Sequence, residues 1–391
     1  MIQAFYLLEA GFSVHIHEKE DHVGGLLGSH TSGDFLVERA ANAMIASKEL
    51  ERIAQIIGVK LEPMKSMARK RYIFRNGQMK RWPLTWSESL PLLGFAFQAK
   101  FFKKIPKFES RESLSVWTEN ALGSAARDYL IEPAMQGVFA SYSDDLNAQA
   151  VFQSLFPSQL KGRLKGSVAP RGGMQEWILK MRYYLKDKGC RFTLGESVSD
   201  PMKLEKLIMA VDLKELKSLV NRHKLPFLPH SLHTTRLASL TSVTFLYKKP
   251  MSALEGFGCL FPRKENFFSL GVLFNHNIFP GRASGGHSET WILNDCHRTF
   301  SEMSPLALHR YVQSDRARLF DSSDEPDESF IYPWPERIPL YNSDLLEFNQ
   351  SIETEPPPFL LIGNYLGQLG LTRILNRAQF NVAKIKAGFY G

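Results

Sequence analysis

The stretch EAGFSVHIHEKEDHVGG, residues 9–25, narrows the folds open to this chain more than any other. Ser13 to His17 alternates and is β-branched at Val14 and Ile16, which predicts a short strand ending at Glu18. The apolar segment before it carries Ile2, Phe5 and Tyr6 at helical spacing, and Gly11 is a natural helix stop. Helix, strand, terminal acid and Gly24-Gly25 make the second part of a Rossmann βαβ unit. In that unit the acid meets a ribose hydroxyl about 20 residues beyond a G-x-G-x-x-G turn. That count falls before Met1, so the first strand and glycine loop are expected to be absent from the chain as given. Any α/β protein can end a strand in Glu, so this stretch alone leaves nucleotide binding and plain packing both open.

With 391 residues there is room for a large core and two or three domains. Lys and Arg total 48 against 40 acids, a formal charge of +8 that suits an acidic substrate, an anionic membrane surface or simple solubility. The basic residues are dispersed and form no nucleic-acid motif, so nucleic acid is not an expected partner. Cys190, Cys259 and Cys296 make no C-x-x-C pair, which points to buried free thiols in a reducing compartment. No Ser/His/Asp order or metal-ligand spacing stands out. No catalytic residue and no metal ligand is therefore assigned, His15 and His17 included. No basic-then-apolar leader follows Met1 and no run of about 18 apolar residues occurs, so neither a signal peptide nor a spanning helix is expected.

Further along, Phe35-Leu36-Val37 predicts a strand after the Ser32-Gly33-Asp34 turn, and Leu50, Ile53, Ile56 and Ile57 define one face of a helix over 48–57. Asn76-Gly77, between Tyr72-Ile73-Phe74 and Met79–Trp82, predicts a two-residue hairpin. A helix over 111–130 is expected to stop at Glu132-Pro133. Residues 206–212 read as a buried strand, and 241–247 and 268–274 as antiparallel strands. Pro356 to Pro358 lead into a strand at Phe359–Ile362, a glycine-spaced turn, and a helix of about 15 residues. That context puts backbone N–H groups at a helix N-terminus, suited to a pyrophosphate or to close packing alone. In 86–107, Leu90, Leu92, Leu93, Phe95, Phe97, Phe101 and Phe102 stand beside Lys100, Lys103, Lys104 and Lys107. The segment reads either as an interfacial helix on anionic headgroups or as a core helix with a basic end.

Several stretches, in collinear order, resemble the flavin-containing amine oxidase superfamily and, more narrowly, the oxygen-dependent protoporphyrinogen oxidases. They are Glu18 with Gly24-Gly25, Gly33 to Ala41, the Lys70–Pro83 hairpin, IEPAMQGVFASYSDDLNAQAVF (131–152) and PRGGMQEW (170–177). GFGCLFPRKENFFSLGVLFNHNIFPGRA (256–283), YPWPERIPLY (332–341) and LIGNYLGQLGL (361–371) complete the series. The chain departs from the pattern in four places. The glycine loop is missing, Gly-Gly-Arg has become Gly24-Gly25-Leu26, Gly-Pro has become Ala40-Ala41, and the stretch after Val198 is short.

The resemblance implies an α/β fold: a Rossmann-type FAD-binding domain lacking its first strand and glycine loop, a mixed-sheet substrate domain, and a helical membrane-associated part. On that basis 1–70, 156–214 and 331–391 form the FAD domain, 71–85 and 215–330 the substrate domain, and 86–155 the helical part. It implies FAD as cofactor. Glu18 would meet the adenosine ribose with Lys19 beside it, and Gly24, Gly25 and Leu26 would line the approach to the pyrophosphate. Ala40, Ala41, Asn42 and Ala43 would lie by the isoalloxazine, Val198 by the adenine, and Gly363, Asn364, Leu369, Gly370 and Leu371 at the C-terminal flavin contact. The implied activity is oxidation of protoporphyrinogen IX or coproporphyrinogen III by hydride transfer to flavin N5, with dioxygen as acceptor, in haem biosynthesis. Arg81 or Lys80 would meet the substrate propionates. The expected partners are thus a porphyrinogen, dioxygen and a membrane surface contacted through 90–104, with a homodimer compatible. The expected location is cytoplasmic, peripheral on the inner face of the membrane. A carotenoid desaturase-like or amine oxidase-like enzyme and a degenerate non-catalytic relative are the alternatives.

Overall fold

The computed structural model describes all residues except 103–106, 110, 156–161, 224, 226–227, 252–254, 297, 368–369 and 390–391. The chain opens with the helix Ile2–Glu9, stopped by Gly11 at φ +86°, and enters β1 (His15–Glu18). β2 (Ser29–Ser32) and β3 (Phe35–Glu38) form an antiparallel pair, followed by β4 (Met44–Ile45). The helix Lys48–Ile57 comes next. Ser47 Oγ accepts from Leu50 N–H (3.2 Å) and Gly58 ends the helix at φ +72°. Then come β5 (Leu61–Pro63) and the hairpin β6 (Tyr72–Arg75) and β7 (Gln78–Lys80), whose Asn76 and Gly77 both take the positive φ that a tight hairpin turn demands.

Helices dominate from Trp86 to Leu155. Glu132-Pro133 does not end a helix as expected. Pro133 sits where a π-helical turn over Arg127–Ile131 runs directly into the helix Glu132–Phe139, an irregularity that accommodates the N–H it lacks. β8 (Ser167–Pro170), the helix Met174–Asp187, β9 (Arg191–Leu194) and β10 (Ile208–Met209) follow. Beyond the helix Leu213–His223 lie β11 (Leu237–Tyr247), β12 (Gly258–Leu260), β13 (Gly271–Phe274), β14 (His287–Asn294) and β15 (Glu328–Pro339). β16 (Leu360–Leu361) and the helix Leu371–Lys386 close the chain.

The parallel α/β part contains the pairs β1–β9, with Glu18 opposite Leu194, and β10–β16. The three strands β4-β8-β5 lie in the same core, which gathers Phe5, Met44, Leu50, Trp177, Met181 and Leu375. A seven-stranded mixed sheet, order β15-β11-β14-β13-β12-β6-β7, is antiparallel except where β12 meets β6. Its face is filled by Phe245, Phe261, Phe274 and Trp291. A third core joins Trp117 and Phe139 with Leu213, Phe348 and Tyr365, so the helical part draws on residues well outside 86–155. Among the described residues no helix is long and apolar enough to cross a membrane. Cys190 and Cys259 are buried free thiols as expected; Cys296, in the turn after β14, is exposed.

Candidate functional site

The segments singled out by sequence converge on one core. Ile16, Val23, Leu27, Met44, Ile362 and Leu371 all pack in the α/β cluster, so the end of β1, the Gly24–Leu27 turn, the entry to β4 and the start of the Leu371–Lys386 helix share one core. Thr372 Oγ1 donates to the Ile45 carbonyl (2.5 Å), tying that helix to β4 directly beyond Ala43.

At the end of β1, one carboxylate oxygen of Glu18 accepts from Glu20 N–H (3.1 Å); the other has no partner among the described residues. The Glu18 carbonyl accepts from Glu196 N–H (3.3 Å) and the Glu20 carbonyl from Gly195 N–H (2.8 Å), which brings the loop carrying Val198 alongside. Lys19 is drawn off to Glu215 at 3.1 Å, at the start of the Leu213–His223 helix. His15 and His17 pack against each other on the strand surface, their rings tilted by 37° with centroids 4.0 Å apart, and His15 also bonds Thr193 Oγ1.

The glycines divide into two groups. Gly24 is a packing glycine: a Cβ there would stand 3.0 Å from the Leu27 carbonyl oxygen and 3.3 Å from Ile178. Gly363 is another, with the Tyr365 ring 2.4 Å from its Cβ position, while the Asn364 carbonyl accepts from Tyr341 OH (2.6 Å). Gly25 and Gly370 take positive φ and face open space, so bare backbone lines the site at both. Leu26 is half-buried in the Gly24–Leu27 turn, and Leu369 lies outside the described residues.

Ala40 to Ala43 form an extended loop between β3 and β4, held by the Asn42 amide on the Ala40 carbonyl (3.1 Å). Below it lies a feature to which the sequence reading gave no role. Glu38 and Arg282, 4% and 3% exposed, form an ion pair, and the carboxylate also accepts from Ser29 Oγ (2.6 Å) and Met174 N–H (3.2 Å). Burial outweighs these partners and pushes the Glu38 carboxyl above its usual range. With Asn42, Ala43, Phe257 and Phe279 the pair lines a narrow cavity that joins the loop to the mixed sheet. Such a pair adds little net stability but fixes the geometry of the segments it spans. Its signal was present in the quoted stretches 33–41 and 256–283, but their 244-residue separation hid the contact.

Arg75, from the hairpin, is engaged: it holds Glu88 at 2.8 Å and donates to the Pro83 carbonyl (2.7 Å), with its guanidinium 4.0 Å from the centre of the Tyr129 ring. Lys80 is half-buried and Arg81 exposed, and neither has a hydrogen-bond or ion-pair partner among the described residues. No group of metal-ligating side chains is gathered among the described residues.

These residues suit a flavin dinucleotide. A carboxylate oxygen is free at the end of β1, bare glycine backbone faces open space at Gly25 and Gly370, and a 16-residue helix begins at the latter. The comparisons agree. The model of the flavin containing amine oxidoreductase family matches residues 1–372. Protoporphyrinogen oxidase 2, chloroplastic/mitochondrial, of Arabidopsis thaliana is 26% identical, covering 94% of this chain and 88% of its own. The mitochondrial protoporphyrinogen oxidase of Nicotiana tabacum is 24% identical, covering 95% and 90%. The fold matches a double mutant of putrescine oxidase with a TM-score of 0.75 at 15% identity, over 99% of this chain and 96% of that one. The cofactor is FAD, and this chain is a member of the flavin-containing amine oxidoreductase family.

Proposed function

We propose that this chain oxidises a porphyrinogen, protoporphyrinogen IX or coproporphyrinogen III, to the porphyrin in haem biosynthesis. The observation that carries the reading is the similarity, along nearly the whole chain, to two plant protoporphyrinogen oxidases. FAD, when bound, would supply the hydride acceptor for a methylene bridge of the substrate, with dioxygen as the final electron acceptor. The protein's work is binding and placement. Glu18 and the Val198 loop hold the adenosine end, Gly24 to Leu26 line the middle, and Ala40 to Ala43 with Gly363, Asn364 and Gly370 to Leu371 flank the flavin. Glu38 and Arg282 brace the Ala40–Ala43 loop from beneath, and Phe257 and Phe279 keep water from that edge. Lys80 and Arg81 are free cations for substrate carboxylates.

The helix Trp86–Phe102 gives this reading a membrane face. Trp86, Leu90, Leu93, Phe97 and Phe101 recur every three or four residues and are 89%, 65%, 55%, 54% and 63% exposed, a continuous apolar stripe with Lys100 and Lys107 at its basic end. A stripe of that kind lies in an anionic lipid interface, where an apolar macrocycle also partitions. Lys103 and Lys104 lie outside the described residues.

The test is to load the purified chain with FAD and mix it anaerobically with each porphyrinogen. Loss of the oxidised flavin absorbance with growth of porphyrin fluorescence is the expected result. A yellow protein inert to both porphyrinogens but bleached by another donor would move the substrate elsewhere in the family.

A further inference from the structure

Arg39 has no part in the reading above, yet its position is tightly specified. Its N–H donates to the Gly28 carbonyl (2.9 Å), and its carbonyl accepts from Ser242 Oγ (3.0 Å) and the Trp334 indole N–H (3.1 Å). The half-buried side chain runs along Gly28, where a Cβ would stand 3.0 Å from Arg39 Cδ. The guanidinium carbon lies 5.7 Å from the ring centres of both Tyr332 and Trp334. No carboxylate reaches it: among the described residues the guanidinium has neither a hydrogen-bond nor an ion-pair partner, whereas Arg52, Arg75, Arg282 and Arg316 each hold an acid.

Two aromatic faces stabilise the cation without using its N–H groups, so its planar fork stays open to an anion. The location narrows which anion. Arg39 directly precedes the Ala40–Ala43 loop and lies on Gly28, three residues past Gly25, so it stands between the middle of the dinucleotide path and its flavin end. Leu26 follows Gly24-Gly25, so that turn brings no cation of its own.

We propose that Arg39 binds the pyrophosphate of FAD, supplying from the end of β3 the positive charge that Leu26 does not. This rests on the flavin-site reading above. Phosphate oxygens accept bidentate guanidinium bonds, and a charge-assisted contact of this kind is worth roughly ten-fold or more in affinity.

The test is calorimetric titration of the flavin-free full chain with FAD, ADP and riboflavin, the last carrying the flavin ring without phosphates. Arg39→Gln should weaken FAD and ADP at least ten-fold, leave riboflavin within two-fold and flatten the salt dependence of FAD binding. Arg39→Lys should recover part of the loss, and far-UV circular dichroism should match the wild type for both variants. Equal losses for riboflavin and FAD would show a structural role and overturn the proposal. Unchanged FAD affinity with a raised KM for a carboxylated substrate would overturn it by assigning Arg39 to the substrate. A wild-type chain that binds none of the three would overturn the flavin-site reading itself, and this proposal with it.

Discussion

Asp315 is the buried acid whose titration is most readily isolated. It is 1% exposed, on the helix Pro305–Phe320, and its carboxylate accepts from Ser269 N–H (2.7 Å) and Phe268 N–H (3.1 Å). Burial pushes its pKa up to about 6, past the pull of those N–H groups and of Arg318. A folded value above the unfolded one means that the folded chain binds the proton more tightly between about pH 4 and 6. The stability contributed by protonated Asp315 is therefore fully present below the unfolded pKa and is lost as pH rises through the folded one. Such a displacement corresponds to about 3 kcal/mol. Urea unfolding from pH 4 to 7 should show this loss in the wild type. In Asp315→Asn the component should be absent, so the stability difference between the two proteins changes across that window. A difference that stays constant with pH would show that Asp315 keeps an ordinary pKa. Glu38 is pushed the same way, but Arg282 rests against it, so its contribution is spread over a coupled pair.

At the level of single elements, the lipid contact proposed for the helix Trp86–Phe102 is testable apart from folding. Its five exposed apolar side chains lie away from the helical core, which takes Leu92 and Phe95 from the opposite side. Leu90→Ser, Leu93→Ser and Phe97→Ser together should leave the unfolding temperature within a degree or two, because little buried surface is lost. The same triple change should abolish flotation with vesicles of phosphatidylglycerol and phosphatidylcholine, while neutral phosphatidylcholine vesicles should bind the wild type only weakly. Flotation of the triple variant at the wild-type level would remove this helix as the lipid contact. Elements written by local periodicity were legible in this way. The helix Lys48–Ile57 has the predicted bounds because Ser47, Gly58 and an apolar face all agree. The hairpin at Asn76-Gly77 was equally plain. β15 was not, because Pro333 and Pro335 interrupt it; they are tolerated since β15 is the edge of its sheet. The candidate site rests, at Glu18 and in the glycine turns, on local signals. Arg39 was hidden because its aromatic platform comes from residues about 300 positions later.

On the scale of the whole molecule, the candidate flavin site is assembled from segments with very long loops between them. β1 pairs with β9, β10 with β16, and Thr372 with Ile45 across 327 residues. Each pairing closes a loop whose entropy must be recovered by packing, and the pairs are short: β10 and β16 exchange only two residues. A ligand that touches several of these segments at once therefore acts as a cross-brace, stabilising the folded state by about 2.7 kcal/mol at a hundred times its Kd. The seven-stranded sheet has its own core and makes its longest ladders internally, so it gains less from that brace. Hydrogen exchange followed by mass spectrometry should then show FAD slowing exchange at 24–28, 40–45 and 363–372 together, with β11 and β14 little changed. Riboflavin should protect 40–45 and 363–372 without 24–28, because it lacks the phosphates that the Gly24–Gly28 stretch and Arg39 would contact. Protection by FAD confined to one of the three segments, or spread evenly into β11 and β14, would show that the dinucleotide does not span them. The convergence of these segments on one core would then be a matter of packing alone.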